Sequence, residues 1–322
     1  MNKHGGVGIW ILVFLLIVGV IGLSGAWVIR TELGPVAPFS QDKKLINVVR
    51  GETPSSVSNK LEAEGLIRNA TIFRYAGRVF GTWASLKAGE YELSPSMSGR
   101  QISAILIRGL SKQYPVTIPE GFNSYEVASL LKVEGKIDSV LFLKLTKDRE
   151  FIKSLGFFKG DLPESLEGFL FPDTYLYTRN SSAQELLKTM VRRFFAAWKT
   201  VPGAEAIPDA QLFRTVTLAS MVEKETGAPE ERPRIAGVFV NRLKKGMKLQ
   251  SDPTTIYGMW ERYKGNISRN DLITPSPYNT YTVPALPKGP IANPGVEALK
   301  AVLAPETHEF LYFVSKNDGT HV

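Results

Sequence analysis

The chain contains no cysteine and only three histidines, His4, His308 and His321, among its 322 residues. Without cysteine it forms no disulfide, supplies no thiol nucleophile and offers no thiolate to a metal. One histidine near the N-terminus and two near the C-terminus do not make a histidine zinc site or a Ser-His-Asp triad. The composition therefore argues against zinc amidases, zinc peptidases and most serine hydrolases, and no metal ligands are predicted.

The net charge is positive, but the basic residues are not distributed as in a nucleic-acid-binding protein. The chain has 39 lysine and arginine residues against 31 aspartate and glutamate residues, a formal net charge of +8. No basic run is interleaved with aromatic residues, so no nucleic-acid partner is predicted. Anionic lipid or an acidic cell-wall polymer suits the charge better, and a merely basic soluble surface is the alternative.

One long apolar segment is present near the N-terminus. Residues 8–29 carry no charge and are long enough to cross a bilayer, and Trp10 and Trp27 lie near the two ends, where interfacial aromatic residues belong. Basic residues precede the segment, so the positive-inside rule predicts that residues 1–7 are cytoplasmic and the rest of the chain lies across the membrane. A cleaved signal peptide is the alternative, but the apolar segment is long for one. We therefore expect a retained single-pass anchor.

A linker and a small module should follow the anchor. Residues 30–43 include two prolines and read as a linker. Residues 44–112 are predicted to form a small α+β module that opens with a strand, a turn at Gly51 and a helix; a similar pattern recurs around Gly121. The opening, with its Gly-Glu-Thr turn, resembles the LysM fold of glycan-binding domains. A compact spacer with no glycan affinity is the alternative.

Residues 113–322 are predicted to form a second, larger domain. The hydrophobic pattern indicates helices over 183–198, 209–226 and 232–245. The expected fold class is therefore α+β, with one transmembrane helix, the small LysM-like module and a larger catalytic domain.

The helix predicted over 209–226 contains a carboxylate in an unusual place. Glu223 continues a stripe that Leu212, Val216 and Ala219 begin at steps of four and three, whereas Glu225 lies about 200° further round. A carboxyl group on an apolar stripe loses hydration, so its pKa should rise, as a general acid requires. The alternative is a Glu at the helix end that tilts into water or pairs with an arginine.

Several loops combine tyrosine with amide and carboxylate side chains. Sugar sites need aromatic faces for stacking and polar groups for hydroxyls, although such loops also occur without a ligand. Residues 249–257 and 276–281 have this composition, and residues 166–175 are aromatic-rich with two acids. The candidate substrate-binding residues are Glu167, Gln250, Ser251, Asp252, Tyr257, Tyr278, Asn279 and Tyr281.

The sequence does not identify a second catalytic acid. A glycosidase with two carboxylates would pair Glu223 with another acid, but no candidate has a diagnostic spacing. The candidates are Glu167, Asp173, Asp252 and Asp271. Ser220 and Lys224 lie four apart on one helix, but the penicillin-binding signature requires a spacing of three and two further motifs that are absent.

Seven blocks together resemble the endolytic murein transglycosylase (MltG, YceG-like) family. No block is specific alone, but the combination is, and the resemblance extends from the anchor to the end of the chain. The blocks are residues 167–175, 219–226, 239–243, 249–254, 257–258, 277–281 and 291–295.

The resemblance implies an inner-membrane enzyme, with its catalytic domain in the periplasm, that cuts nascent peptidoglycan glycan strands between N-acetylmuramic acid and N-acetylglucosamine. The family's catalytic glutamate falls on Glu223. The expected product is a 1,6-anhydromuramyl end, made without water, because the sugar's own 6-hydroxyl is the nucleophile. One glutamate then serves as both acid and base, with no metal or cofactor, and cell-wall synthases are candidate partners.

One departure from the family concerns the C-terminus. The family continues past this region with a further strand and helix, whereas this chain stops at Val322, inside a hairpin predicted to begin at residues 310–314. A missing strand would expose a sheet edge and remove cleft residues. The alternatives to a lytic transglycosylase are a membrane-tethered peptidoglycan-binding or scaffold protein with an impaired site, and a hydrolytic muramidase.

Overall fold

A computed structural model of the chain describes residues 5–79, 81, 83–133 and 137–314. The chain divides into two compact units, Met1–Tyr114 with Thr178–Asn180, and Pro115–Tyr177 with Ser181–Val322. Helices and strands are mixed in both units, as the α+β class predicts. Part of the predicted cytoplasmic segment and the end of the predicted C-terminal hairpin lie outside the described residues.

The first unit begins with helix α1, Gly5–Glu32. Its portion Ile11–Glu32 is long and apolar enough to span a membrane, and the most apolar 18-residue window within it has no buried residue. An apolar helix whose apolar stretch is not covered by protein is compatible with a membrane anchor, because lipid can take the place of a protein core.

The rest of the first unit is a two-stranded sheet covered by helices. Its elements are β1 (Lys44–Val48), α2 (Pro54–Ala63), α3 (Ala70–Val79), β2 (Gly89–Leu93) and α4 (Gly99–Arg108). The strands pair antiparallel, with Ile46 opposite Tyr91. Thr53 caps α2 with Pro54 in its first turn, and Ser98 opens α4 with a capping box. The core includes Ile46, Val48 and Tyr91 from the strands and Phe73 and Ile102 from the helices.

The predicted linker is held against this module. Leu33 packs on the module's core, and its carbonyl accepts a 2.8 Å hydrogen bond from the Gly99 amide. Further along, the Ala37 amide donates to the Pro95 carbonyl at 3.0 Å, and the Arg68 guanidinium donates to the Pro35 carbonyl at 2.8 Å. These hydrogen bonds join the end of α1 to the module.

The second unit is mainly helical. Strands β3 (Tyr114–Thr117) and β4 (Thr174–Tyr177) form a two-stranded sheet. The helices are α5 (Ser124–Val133), α6 (Ser139–Thr146), α7 (Arg149–Ser154), α8 (Ala183–Trp198), α9 (Asp209–Glu225), α10 (Arg232–Lys244), α11 (Asp252–Gly258), α12 (Arg269–Ile273) and α13 (Val296–Leu303).

Helices α8, α9 and α10 agree with the predicted bounds to within one residue. Ser182 and Glu185 form the capping box that starts α8. Helix α9 is buried along most of its last two turns, where it packs against α10 and α13. This packing surrounds the C-terminal end of α9 with protein rather than water.

The predicted strand over residues 310–314 is wrong. This segment is irregular, and side chains of α10 bond to its backbone: Arg242 Nε donates to the Leu311 carbonyl at 2.5 Å, and Asn241 Nδ2 donates to the Phe310 carbonyl at 3.1 Å. Phe313 packs edge-on against Phe239, with ring centroids 5.8 Å apart. Side chains of α10 thus satisfy the carbonyl groups of Phe310 and Leu311, which a neighbouring strand would otherwise bond.

Candidate active site

Glu223 lies in the last turn of α9 and is only 8% exposed. The stripe that the sequence predicts is buried, with Val216 and Ala219 fully enclosed. Both carboxylate oxygens accept a hydrogen bond: Oε1 from Arg232 Nη2 at 2.7 Å, and Oε2 from the Gly295 amide at 2.9 Å. Glu223 is therefore both the buried acid and the arginine-paired acid that the sequence offered as alternatives.

Arg232 is the first residue of α10 and is 4% exposed. Its Nη2 atom lies 2.7 Å from Glu223 Oε1 and 3.6 Å from Glu120 Oε2, and the Glu120 side chain is half exposed. Its Nε atom is buried and has no hydrogen-bond partner among the described residues. One cation thus stands between two carboxylates, and part of its hydrogen-bonding capacity is unused.

Burial raises the pKa of Glu223. The Gly295 amide and the Arg232 charge act in the opposite direction, while the negative charge of Glu120 adds to the rise. The net shift is upward, because removing a carboxylate from water penalises its charged form more than these two partners favour it. A carboxyl group in this setting keeps its proton to a higher pH than an exposed glutamate does.

Two glycines allow the chain to approach Glu223 closely. At Gly295 an added Cβ atom would overlap the Glu120 carboxyl group. Gly121 has a φ of +76°, which favours glycine, and its carbonyl accepts a 3.2 Å hydrogen bond from Lys224 Nζ. An open cavity of about 350 Å³ results, lined by Glu120, Gly121, Glu223, Lys224, Glu225, Thr226, Gly227 and Arg232.

Residues 249–257, predicted as a loop, are irregular only up to Ser251 and continue as helix α11; they reach this cavity through Glu225. Ser251 is buried, and its hydroxyl donates a short hydrogen bond to the Glu225 carboxylate. Gln250 and Asp252 flank it with exposed side chains, and the Tyr281 hydroxyl donates to Asp252 Oδ1 at 2.6 Å. Gln250 has a φ of +50°, uncommon for a residue with a side chain. These four predicted residues therefore form a group next to the Glu223 cavity.

Glu167 lies away from solvent, at 1% exposure. Its carboxylate accepts hydrogen bonds from the Ser124 hydroxyl at 2.6 Å, the Tyr257 hydroxyl at 2.9 Å and Asn293 Nδ2 at 3.2 Å. Burial raises its pKa. Direct substrate binding by Glu167 stays a prediction; the contacts observed are with protein.

Residues 291–295 connect Glu167 to Glu223. The Ile291 amide donates to Ser220 Oγ at 3.0 Å, the Asn293 side chain bonds Glu167, and the Gly295 amide bonds Glu223. The short segment 291–295 therefore contacts both buried carboxylates and helps to hold them in position.

Tyr257 and Tyr278 line a second cavity, of about 240 Å³. Their ring centroids are 4.8 Å apart, and Lys147 and Lys288 contribute cationic groups to the same cavity. Asn279 is buried nearby: its Nδ2 atom donates to backbone carbonyls of residues 271, 272 and 274, and its Oδ1 atom accepts from Thr255. The eight predicted residues thus fall into two groups, at the Glu223 cavity and around this one.

The Ser-Lys dyad and the pairing of Glu223 with Asp173 or Asp271 are not assembled, whereas Asp252 lies next to the Glu223 cavity and Glu120 lines it. The Ser220 hydroxyl is buried and donates to the Thr217 carbonyl at 2.7 Å, while Lys224 bonds to Gly121, so the two form no dyad. Asp173 is paired with Arg193 at 2.5 Å. Asp271 caps α12 and is paired with Arg262 at 2.9 Å.

Known proteins are similar to the chain across most of its length. A family model described as the YceG-like family matches residues 46–322. The chain belongs to the YceG-like family. It is 30% identical to a protein named endolytic murein transglycosylase from Bacillus subtilis (strain 168), over 90% of this chain and 83% of that protein.

Two further relatives agree with this membership. A protein of the same name from Streptococcus pneumoniae serotype 2 (strain D39) is 29% identical, over 94% of this chain and 60% of that longer protein. A crystal structure of a YceG-like protein from Listeria monocytogenes matches with a TM-score of 0.57 at 32% identity, covering 88% of this chain and 96% of that one. The family and the fold are therefore supported by both sequence and structure.

Sequence reasoning missed three members of the Glu223 site in this YceG-like chain. Glu120 follows β3, Arg232 opens α10, and Gly295 precedes α13, so no local spacing relates any of them to Glu223. Two sequence patterns lie near these residues: the Glu-Gly turn around Gly121 and the 291–295 block. Neither pattern assigns a role to Glu120, Arg232 or Gly295.

Proposed function

We propose that this protein is a membrane-anchored endolytic lytic transglycosylase of peptidoglycan, with Glu223 as its single general acid and base. The observation that carries the proposal is a buried carboxyl group with a raised pKa, opening onto a cavity, in a chain of the YceG-like family. The relatives named endolytic murein transglycosylase support the reaction class.

The proposed reaction cuts the β-1,4 bond between N-acetylmuramic acid and N-acetylglucosamine. Protonated Glu223 donates its proton to the glycosidic oxygen as the bond from that oxygen to the muramyl C1 breaks. The 6-hydroxyl oxygen of the same muramyl residue then bonds to C1 and closes the 1,6-anhydro ring. Its proton passes to the Glu223 carboxylate, which restores the acid. No water is consumed, so no second acid is needed to position it.

Arg232 and Glu120 would tune this double role. Arg232 stabilises the carboxylate that exists between the two proton transfers, and Glu120 favours the protonated form needed at the start. A group that must both give and take a proton is most effective when neither form is held too strongly. We therefore assign Arg232 and Glu120 as positioning residues.

Substrate contacts are proposed in two places. Gln250, Asp252 and Tyr281 have accessible groups near the Glu223 cavity and suit sugar hydroxyls and N-acetyl groups. Tyr257 and Tyr278 offer aromatic surface at the second cavity. Because Glu167, Ser251 and Asn279 are buried and bonded to protein, we assign them the role of holding these loops in position.

The cellular setting is part of the same proposal. Helix α1 would anchor the chain in the inner membrane, with the N-terminus cytoplasmic and the catalytic unit periplasmic, close to nascent glycan strands and to cell-wall synthases. The module over residues 44–112 would act as a LysM-like element; glycan affinity there is testable by pull-down.

The decisive experiment is to digest purified peptidoglycan with the protein and to identify the new ends by mass spectrometry. Anhydromuramyl ends are expected. Reducing ends would replace the proposal with a hydrolytic muramidase, and the absence of any cleavage would favour a peptidoglycan-binding or scaffold protein. In that last case glycan pull-down would persist and would be the same for wild type and Glu223→Gln.

A further inference from the structure

The first unit has a groove where α1 meets the module. It is lined by the end of α1 and by helices α3 and α4, and its volume is about 720 Å³. This volume is within the roughly 300–1,000 Å³ typical of small-molecule sites. Leu33, Phe73 and Ile107 give the groove a mostly apolar lining.

Two arginines also line the groove. Arg30 belongs to the last turn of α1, Arg100 belongs to the first turn of α4, and both are exposed. Neither is paired with a carboxylate among the described residues, and no acidic residue lines the groove. An apolar lining with unpaired guanidinium groups is complementary to an amphiphile that has an anionic head and a hydrocarbon tail, because guanidinium binds phosphate oxygens in a bidentate manner.

The position of the groove relative to the membrane follows from α1. Ile11–Glu32 is the candidate span, so Arg30, two residues from its end, lies where a spanning helix meets the lipid headgroups. The backbone bond from Gly99 to Leu33 holds α4 against this end, so Arg100 is kept on the same groove. The module is thus held beside the headgroup layer rather than at the end of a loose tether.

We propose that this groove binds an anionic phospholipid of the leaflet at the C-terminal end of α1. Arg30 and Arg100 bind the phosphate group, and the upper part of one acyl chain lies against Leu33, Ala76 and Ile107. The lipid fixes the small module on the membrane surface. This proposal rests on anchoring by α1, which is part of the proposed function, but it does not depend on the lyase chemistry.

The test uses the full chain in nanodiscs, with a nitroxide label on a single cysteine. The native chain has no cysteine, so each label is unique. Ala104→Cys places the label at an exposed position in the groove, and Asn47→Cys places it at an exposed position of β1 outside the groove. Collision of the label with oxygen, which partitions into lipid, is compared with collision with a water-soluble nickel chelate.

In discs that contain phosphatidylglycerol, we expect the label at position 104 to be shielded from nickel and accessible to oxygen. The shielding should decrease in pure phosphatidylcholine discs and in the Arg100→Gln variant, while the label at position 47 stays open to nickel throughout. Equal nickel access at positions 104 and 47 would overturn the proposal. Two other results would also overturn it: shielding that is the same in both kinds of disc and in Arg100→Gln, and shielding that arises only when a polyprenyl diphosphate is added.

Two controls separate this result from the proposed function. Co-flotation of each variant with lipid vesicles reports anchoring by α1, and release of anhydromuramyl ends reports the lyase reaction. A chain that floats and cuts peptidoglycan but shows no shielding at position 104 refutes the lipid site alone.

Discussion

Glu223 and Arg232 form an ion pair in which Oε1 and Nη2 are 2.7 Å apart and both side chains are almost fully buried. A buried pair is held by attraction in a medium of low polarity but opposed by the loss of hydration of both charges. Here burial has the larger effect on the carboxyl group, and the pKa of Glu223 rises despite the arginine. The pair therefore leaves the proton of Glu223 available for chemistry.

Glu223→Gln should abolish peptidoglycan cutting, with a loss of about 10²–10⁴-fold or more, because the amide neither gives nor takes the proton. Its oxygen can still accept from Arg232 or Gly295, so the loss of stability should stay below the roughly 3–5 kcal/mol of an outright broken buried pair. Muropeptide release and thermal unfolding measure the two effects. Glu225→Gln is the matched control and should retain cutting, since an amide can still accept from Ser251.

Glu120→Gln should move the basic limb of the pH–rate profile to lower pH. The negative charge of Glu120 contributes to the raised pKa of Glu223, so its removal lowers that pKa, and Glu223 then loses its proton earlier as pH rises. Cutting rates across a pH series test this shift. An unchanged profile would mean that Glu120 has no electrostatic role.

Gly295→Ala should reproduce that shift without removing a charge. Gly295 has a φ of −78°, which alanine adopts freely, but its methyl group would overlap the Glu120 carboxyl group and push it from the site. We expect a folded protein whose basic limb moves in the same direction as that of Glu120→Gln. The double variant should show no further shift, and an additive shift would contradict this explanation.

Glu167→Gln should flatten the dependence of stability on pH. Burial raises the pKa of Glu167 in the folded state, so the folded state binds more protons than the unfolded state between the ordinary glutamate pKa and the raised one. The stability of the wild type should therefore fall as pH rises through that window. Urea unfolding at several pH values measures the slope, which the variant should reduce but not remove, because Glu223 contributes in the same sense.

Gly168→Ala should destabilise the second unit strongly. Gly168 has a φ of +86°, and an added Cβ atom would lie 2.6 Å from Pro290 and 2.7 Å from Val216. A left-handed backbone costs about 1–2 kcal/mol for alanine, and overpacking adds about 1–3 kcal/mol. Gly203→Ala is the control, because φ is +83° there but the space is open. Denaturant unfolding should give a clearly larger loss at Gly168 than at Gly203.

Periodicity predicted the helices of the second unit well because it is a local property. Helix α9 was predicted to end at residue 226 and ends at Glu225, and the burial of its Glu223 stripe followed from the same spacing. Over residues 310–314, where the sequence predicts a strand, Phe313 packs beside α10 and side chains of α10 bond to the carbonyl groups of Phe310 and Leu311, which differs from the environment of a paired strand. Phe310, Tyr312 and Val314 stay exposed. Local pattern does not distinguish these two environments.

By itself the sequence determined the apolar helix at the N-terminus, the absence of thiol chemistry, the α+β class and the placing of a carboxyl group on an apolar stripe. Only the tertiary structure decided which groups surround that carboxyl. Glu120, Arg232 and Gly295 come from three separate segments, and they meet at Glu223 because α10 and α13 pack against α9 and the turn after β3 lies beside its end. The pKa of a buried acid depends on charges and donors within a few ångströms in space, and distance along the chain does not report that proximity.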